Sequence, residues 1–410
     1  MQLLLDTGEA DTWVNVANSS VCQAAAVPPE VPCSQFGTYD ANASSTYTYA
    51  GLGFNNTNFV GNINAGDYAR DTFNFGSTTF ENFQFGIAYT STNEEGELGI
   101  GHPLGESQVI NNGKAPYNNL PMQMVSKGLI NSNAYSIWLN DLNASTGSIL
   151  FGGVDTTRYH GSLATLPLQK VAGSVSQFPI TLTGMTYNSV VVGKNLALAI
   201  ALVSGDSITY LPNALAQAVM QEVGAYFDPV SGSAFIPCTQ ATVPGVLNFT
   251  FSTVTISIPM SELVLNILDV NDGGIPETIG GQGVQACLFG ISPALDTPFQ
   301  LGDTFLRSAY VVFDIDNSEI SIAQTNFNPT GSNIMEIGTG TGSVPNATPV
   351  VNAVAATQGT VGFSSNIPSP TAASGLGAKT PTSGVGRVSC TNGFSVMIFL
   401  GLMLSFSAWF

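Results

Sequence analysis

Two short loops in distant parts of the chain carry the residues best suited to acid–base chemistry. The first lies in LLLDTGEADTWV (residues 3–14) and places Asp6 directly after an apolar run. The second lies in ALVSGDSITYLP (residues 201–212), where Val203 stands at the position of Asp6. Two facing carboxyl groups can share one proton and serve as general acid and general base. The repeat therefore offers Asp6 as a candidate acid–base residue whose matching position in the second loop holds no carboxyl group.

The residues after these two positions agree, and we expect them to support the loops: Thr7, Gly8, Ser204 and Gly205. A shifted register would put Asp206 in the place of Asp6. That register loses the following glycine and moves Tyr210 and Pro212 out of the pattern, so it is not preferred. Asp206 is retained as a weak substitute for the second carboxyl group.

The composition predicts an all-β fold that positions these loops. The 410 residues are 44% hydrophobic and 9% charged, with 44 Gly and 22 Pro, which is too apolar for disorder and too rich in turn residues for a helical bundle. Strands are clearest in YSIWLNDL, GSILFGG, TVTISIP and AYVVFDIDNSEISIA. One helix is predicted over residues 213–227, capped by Asn213.

The charge excludes one large class of partner. Nine basic residues stand against 27 acidic ones, for a formal charge of -18, so nucleic-acid binding is not expected. Cysteine and histidine do not occur at metal-ligand spacing, so no metal site is predicted.

The cysteines and the glycosylation sequons favour an extracellular protein. Cys22 with Cys33, and Cys238 with Cys287, form two local pairs that predict disulfides. Asn-x-Ser/Thr acceptors occur at Asn18, Asn42, Asn55, Asn143, Asn248 and Asn346.

The two ends of the chain bear on its location. Residues 328–392 are rich in Gly, Ser, Thr and Pro and predict a flexible stalk, while residues 393–410 are largely apolar with no basic flank. This arrangement predicts a signal for a glycosylphosphatidylinositol (GPI) anchor, attached at Ser383 or Gly384; a membrane-spanning segment is the alternative. The opening MQLLLDTG lacks the features of a secretory signal, so we expect the chain to begin inside a longer precursor.

Taken in order, these motifs resemble those of the pepsin-like aspartic peptidases. The resemblance rests on LLLDTGEADTWV, LGIG (98–101), SILFGGVDTTRYHGSLATLPL (148–168) and PFQLGDTFLRSAYVVFDIDNSEISIAQTNF (298–327). With the stalk and the anchor signal, the chain is most similar to the fungal GPI-anchored, yapsin-like subgroup. The resemblance implies two β-barrel-like lobes, residues 1–165 without the first strand and residues 166–327, with a cleft between them.

The resemblance also implies a function. It predicts a monomer without cofactor that binds a peptide or protein in the cleft at the cell surface. Glu9 and Asp206 stand where the family has hydroxyl residues, and Asn58 or Phe59 where the flap has a tyrosine. With Val203 in place of the second aspartate, hydrolysis is expected to be impaired, since each acid–base role contributes about 10²–10⁴ in rate.

Three alternatives stay open. The chain could be an active endopeptidase that pairs Asp6 with Asp206. It could be a cell-wall glycoprotein that binds peptides or only displays its β domain. A sequencing or gene-model error at codon 203 could also conceal an ordinary enzyme.

Overall fold

The structure is a computed structural model that describes residues 1–23, 32–57, 62–171, 173–266, 278–279, 284–357, 393–400 and 402–407. Backbone alone is described for residues 278–279, 393–400 and 402–407.

Thirty strands dominate the secondary structure of the described chain. Strands β1–β10 are Leu3–Asp6, Trp13–Asn15, Thr48–Thr57, Ile63–Phe75, Thr78–Ser91, Gly96–Gly99, Ala134–Trp138, Thr146–Phe151, Gly153–Asp155 and Leu163–Pro167. Strands β11–β20 are Pro179–Leu182, Gly184–Tyr187, Val190–Gly193, Leu198–Leu202, Thr209–Leu211, Tyr226–Asp228, Ser233–Pro237, Val246–Phe251, Val254–Pro259 and Val264–Leu265. Strands β21–β30 are Thr278–Ile279, Val284–Phe289, Ile291–Pro293, Gln300–Leu301, Ala309–Asp314, Glu319–Gln324, Ile334–Glu336, Ala347–Pro349, Gly393–Leu400 and Leu402–Ser407.

The described helices are few and short. They are α1 (Cys33–Phe36), α2 (Ser107–Asn112), α3 (Leu120–Ser126), α4 (Asn213–Val223) and α5 (Asp303–Leu306). None of the helices in the described part of the chain is long and apolar enough to span a bilayer.

Helix α4 confirms the predicted helix but corrects both of its ends. Asn213 is the first helical residue, and its Oδ1 accepts from Leu295 N (2.9 Å) instead of capping the helix. Gly224 ends the helix with φ 74°, a left-handed conformation that glycine adopts without a Cβ clash. The chain after it forms β16, Tyr226–Asp228.

The strands form open sheets in two lobes around a broad central sheet. The first-lobe sheet has the order β1-β6-β2-β5-β4-β3, and the central sheet has the order β28-β10-β26-β25-β7-β8-β29-β30. The second lobe contains β11-β14-β24-β15-β23, β13-β12-β18-β19 and β16-β17-β22-β20. The predicted mostly-β bilobal fold is confirmed. The expectation of barrel-like lobes is not, because every sheet within the described ranges keeps free edges.

One four-strand arrangement occurs in both lobes. In β1-β6-β2-β5 and in β14-β24-β15-β23, the first pair is parallel, the second antiparallel and the third parallel. Leu5 pairs with Leu98 in the first set, and Leu202 pairs with Leu301 in the second. Asp6 and Val203 are the next residues in each case, so they hold equivalent positions.

Burial explains why these strands form where they do. All five residues of β14 (LAIAL) are buried, as expected for a strand covered on both faces. In β1 (LLLD) the last two residues are buried, which carries the carboxyl group of Asp6 into the interior of the molecule. Both loops therefore start from well-packed strand ends.

The segment 328–357 was expected to be flexible, yet it lies against the folded lobes. Its strand β27 pairs with β9, and β28 pairs parallel with β10. Ile337 (0% exposed) and Val344 (4%) join a buried cluster that contains Trp138. Composition predicts flexibility here because apolar residues are few, but the strand pairings and these buried side chains hold the segment against the lobes.

Candidate functional site

Both repeated loops line one cavity of about 670 Å³. Asp6 and Gly8 come from the first loop, and Val203, Gly205 and Asp206 come from the second. Further walls are formed by residues of β3 and α2 and by the segment that follows the crossing between the lobes, including Asn55, Asn56, Ile110, Asn111, Val171 and Ser174. The sequence-predicted loops are thus brought together at a cleft.

Thr7 and Ser204 hold the two loops together. Thr7 N donates to Ser204 Oγ (3.2 Å), and Ser204 N donates to Thr7 Oγ1 (3.0 Å). Thr7 Oγ1 also donates to Leu202 O (2.9 Å), while Ser204 Oγ donates to Leu5 O (2.9 Å). Each hydroxyl therefore accepts from the opposite backbone N–H and donates to a carbonyl oxygen of the opposite strand. These equivalent contacts relate the two loops by an approximate twofold axis.

The carboxyl group of Asp6 lies at the centre of this arrangement. It is 6% exposed, and its Oδ1 accepts from Gly8 N (2.6 Å) and from Gly205 N (3.1 Å). A Cβ at Gly205 would come within 2.0 Å of Asp6 Oδ2, so a glycine is required there. These backbone donors fix the orientation of the Asp6 carboxyl group between the two loops.

Val203 occupies the matching place in the second loop. It is 7% exposed, and a Cβ at Gly8 would lie 2.7 Å from its Cγ1. Gly8 therefore stands against Val203 as Gly205 stands against Asp6. Its isopropyl group can neither accept a hydrogen bond nor exchange a proton. The cleft therefore presents a carboxyl group on one side of the axis and an aliphatic group on the other.

Asp206 lines the same cavity, and two of its hydrogen bonds are made within the second lobe. Its Oδ2 accepts from Gln300 Nε2, and its Oδ1 accepts from Ile208 N (3.4 Å). Glu9, at the equivalent place in the first loop, is half-buried and also lines the cavity. The sequence singled out Asp206 but not Gln300, whose role depends on β24 lying between β14 and β15.

Asp303 is a further acid beneath the second loop. Burial raises its pKa to about 7; Arg307 opposes the rise, and the charges of Asp206 and Asp6 add to it. Its Oδ1 has no hydrogen-bond partner in the described part of the chain. The sequence placed this residue in the motif of residues 298–327 and gave no sign that its carboxyl group would lie close to the two loops.

A second buried acidic group supports the first lobe's side of the cleft. Asp11 accepts from Ser107 N (2.6 Å), Tyr117 Oη (2.7 Å) and Tyr68 Oη (3.2 Å). Burial raises the pKa of Asp11, and burial raises that of Glu106 to about 9, with the charge of Asp11 adding to the rise. Asp11 binds the first residue of α2, Ser107, and Glu106 directly precedes that helix. The two carboxyl groups therefore position α2, which forms one wall of the cleft. No sequence pattern pointed to them, since Asp11, Tyr68 and the segment 106–117 are far apart in the chain.

The remaining predicted residues divide by what the structure describes. Both predicted disulfides, Cys22–Cys33 and Cys238–Cys287, are confirmed. The flap positions Asn58 and Phe59 and the anchor positions Ser383 and Gly384 lie outside the described residues. Among the predicted glycosylation acceptors, five are exposed, namely Asn18, Asn42, Asn55, Asn143 and Asn346, and Asn248 is half-buried. The described residues contain no cluster of three or more potential metal ligands.

Sequence comparison agrees with this architecture. Residues 1–325 match the family model described as "Eukaryotic aspartyl protease". The "Probable aspartic-type endopeptidase opsB" of Aspergillus oryzae is 47% identical over 360 residues, which is 86% of this chain and 72% of that protein. "Secreted aspartic protease 8" of Candida albicans is 34% identical over 333 residues, or 80% of this chain and 74% of that protein.

Structural comparison gives the same fold. The crystal structure of the aspartic proteinase from Irpex lacteus superposes with a TM-score of 0.61 and 19% sequence identity. The match covers 81% of this chain and 92% of that one.

Proposed function

Since the chain belongs to the eukaryotic aspartyl protease family, we propose that it binds peptides in the cleft between its lobes and hydrolyses them poorly or not at all. One observation carries this proposal. The reciprocal Thr7–Ser204 hydrogen bonds relate the two loops, and Val203 lies at the position that is equivalent to Asp6. In the chemistry that the family resemblance implies, one carboxylate activates water while the other, protonated, polarises the scissile carbonyl. With Val203, the second role has no group to perform it.

The binding half of the proposal rests on the preserved framework. The buried Asp6, the glycines beside it and the hydroxyl pair are all held by hydrogen bonds, so losing one carboxyl group has not collapsed the cleft. The direct test is to incubate the purified chain with a denatured protein at acid pH. Retention of the denatured protein on the immobilised chain without appearance of new peptide ends is the expected result. Rapid cleavage would overturn it.

The charge of the cleft indicates the kind of peptide it takes. Its lining includes Asp6, Glu9 and Asp206 and no lysine, arginine or histidine from the described residues. Complementary charge raises both association rate and selectivity. We therefore assign the cleft to cationic peptide segments.

A second candidate function is hydrolysis by Asp6 together with Asp206. It is favoured by one observation, that Asp206 lines the same cavity, and opposed by the hydrogen bond from Gln300 that directs its carboxylate to its own lobe. Asp206→Asn decides between the two. Any hydrolysis by the unmodified chain that disappears in Asp206→Asn while surviving in Glu9→Gln would establish Asp206 as the partner.

The location is part of the proposal. Two disulfides, exposed glycosylation sequons and the resemblance to a secreted protease of Candida albicans support passage through the secretory pathway. We assign the chain to the cell surface, held by a GPI anchor as in the yapsin-like subgroup. Release of the protein from intact cells by a phosphatidylinositol-specific phospholipase is expected, and retention after that treatment would contradict the anchor.

A further inference from the structure

Asn55 stands at the rim of the cleft. It lies near the end of β3, the outer strand of the first-lobe sheet, and it lines the cavity that contains Asp6. Asn111, on the cavity-lining helix α2, donates from Nδ2 to the Asn55 carbonyl oxygen (3.0 Å). The backbone of Asn55 is therefore fixed against one wall of the cleft.

The side chain of Asn55 is arranged so that a sugar could be carried on it. It is exposed, and its Oδ1 accepts from Thr57 Oγ1 (2.7 Å), the hydroxyl of its own Asn55-Asn56-Thr57 sequon. Within the described residues, Asn55 Nδ2 makes no hydrogen bond, so a substituent on this nitrogen costs the fold nothing that the structure records. An N-linked glycan here is compatible with the paired strand beneath it.

Asn248 provides the contrast. It lies within β18, between β12 and β19, where its Nδ2 donates to Thr186 Oγ1 (3.0 Å) and its Oδ1 accepts from Ser257 Oγ (2.7 Å). A glycan on Asn248 would disturb both of these contacts in a central strand. The same sequence motif thus occurs in one site that can bear a glycan and in one that is poorly suited to it.

We propose that Asn55 carries an N-linked glycan that screens the mouth of the cleft and restricts it to extended peptide segments. In the modification, Asn55 Nδ2 forms a bond to the anomeric carbon of an oligosaccharide carried on a polyprenyl diphosphate. The bond from that carbon to the diphosphate oxygen breaks, the amide loses one proton, and the polyprenyl diphosphate leaves. Because the glycan is hydrated and bulky, it leaves the cleft open to a single extended chain and hinders a folded surface. This inference rests on the proposed secretory location and does not depend on whether the cleft hydrolyses peptides.

The test needs a matched pair of variants of the full chain, directed through the secretory pathway of a eukaryotic host by an added signal peptide and recovered from the host cells. Thr57→Ser keeps the sequon, whereas Thr57→Ala removes it and leaves Asn55 in place. Mass spectrometry of glycopeptides is expected to find Asn55 occupied in the wild-type and Thr57→Ser chains and Asn248 unoccupied. An unmodified Asn55 in both chains would overturn the proposal.

Screening is measured without any peptide ligand. Ile110 lines the cleft beside Asn111 and is 63% exposed, so Ile110→Cys places a thiol next to the glycan; Val230, 72% exposed and outside the cavity lining, supplies the control Val230→Cys. The reagent is a maleimide bearing a large polyethylene glycol. Its labelling rate at Ile110→Cys is expected to be several-fold lower in the glycosylated Thr57→Ser background than in the Thr57→Ala background. N-ethylmaleimide should label both backgrounds at the same rate, and Val230→Cys should not distinguish them. Equal rates of the bulky reagent at Ile110→Cys would refute the screening even if peptides bind as proposed, and failure of peptides to bind would leave this result intact.

Discussion

Thr7 and Ser204 each donate a backbone N–H to the other's side-chain oxygen across the boundary between the lobes, at 3.2 and 3.0 Å. Both are buried, at 0% and 4% exposure. Their hydroxyl groups then donate to Leu202 and Leu5, the residues just before Val203 and Asp6. The hydrogen bonds thereby fix the positions of Val203 and Asp6 relative to each other, whatever side chains these positions carry.

Ser204→Ala is expected to destabilise the protein. Loss of the Ser204 hydroxyl leaves Thr7 N and Leu5 O without this partner in a buried site, and two such groups together cost about 2–6 kcal/mol. Urea unfolding followed by fluorescence measures the difference. Ser204→Thr is the control because threonine fills the equivalent position in the first loop, and it should cost much less. Equal losses for alanine and threonine would contradict the role given to the hydroxyl.

The buried acid Glu106 should make the protein less stable as pH rises. Its pKa is raised from 4.5 to about 9, so the folded state holds a proton that the unfolded state releases. This stability is complete below the unfolded pKa and is lost as pH rises towards 9, by at most about 1.4 kcal/mol per pH unit. Glu106→Gln keeps an oxygen to accept from Tyr117 N, and it should flatten this part of the pH profile of unfolding.

Asp71 gives the control of opposite sign. Burial alone would raise its pKa, but hydrogen bonds led by that from Thr46 lower it overall. Its stabilisation is present above the unfolded pKa and is lost as pH falls. Asp71→Asn should therefore alter the acid side of the profile only. If the unfolding free energy of Glu106→Gln falls between the two pKa values of Glu106, 4.5 and about 9, as steeply as that of the unmodified chain, Glu106 does not carry the effect.

Peptide binding should depend on charge. A lysine-bearing peptide is expected to bind more tightly than its glutamate-bearing counterpart, and its affinity should fall with added salt because the attraction is screened. The paired changes Glu9→Gln and Asp206→Asn should weaken the lysine peptide several-fold and leave a neutral peptide unaffected. Calorimetry at two salt concentrations measures both. Equal binding of the two charged peptides would remove the assignment of cationic ligands.

Local features of the sequence predicted the framework of the site well. A fully apolar run such as LAIAL predicts a buried strand, and the Thr-Gly and Ser-Gly loops repeat because the same strand arrangement occurs twice. The cysteine pairs were also predictable, since each closes a chain segment within one lobe.

Other parts of the site depend on contacts that no sequence pattern records. Gln300 meets Asp206, and Tyr117 meets Asp11, only because the sheets bring distant segments together. Asn213 follows the pattern of a helix cap, yet Pro212 stands at the cap position and the Asn213 side chain accepts from Leu295 N in a segment distant along the chain. These contacts decide the charge and shape of the cleft, and they required the fold.

The central claim is that the cleft has a place for a second carboxyl group that Val203 fills with an aliphatic side chain. The most direct measurement is the rate of acid hydrolysis of a denatured protein by the unmodified chain, Val203→Asp and the isosteric, uncharged Val203→Asn. Hydrolysis is predicted to rise by at least about 10² in Val203→Asp alone, the smallest effect usually assigned to one acid–base group. If the unmodified chain already hydrolyses as fast as Val203→Asp, and loses that activity in Asp6→Asn, the claim is contradicted.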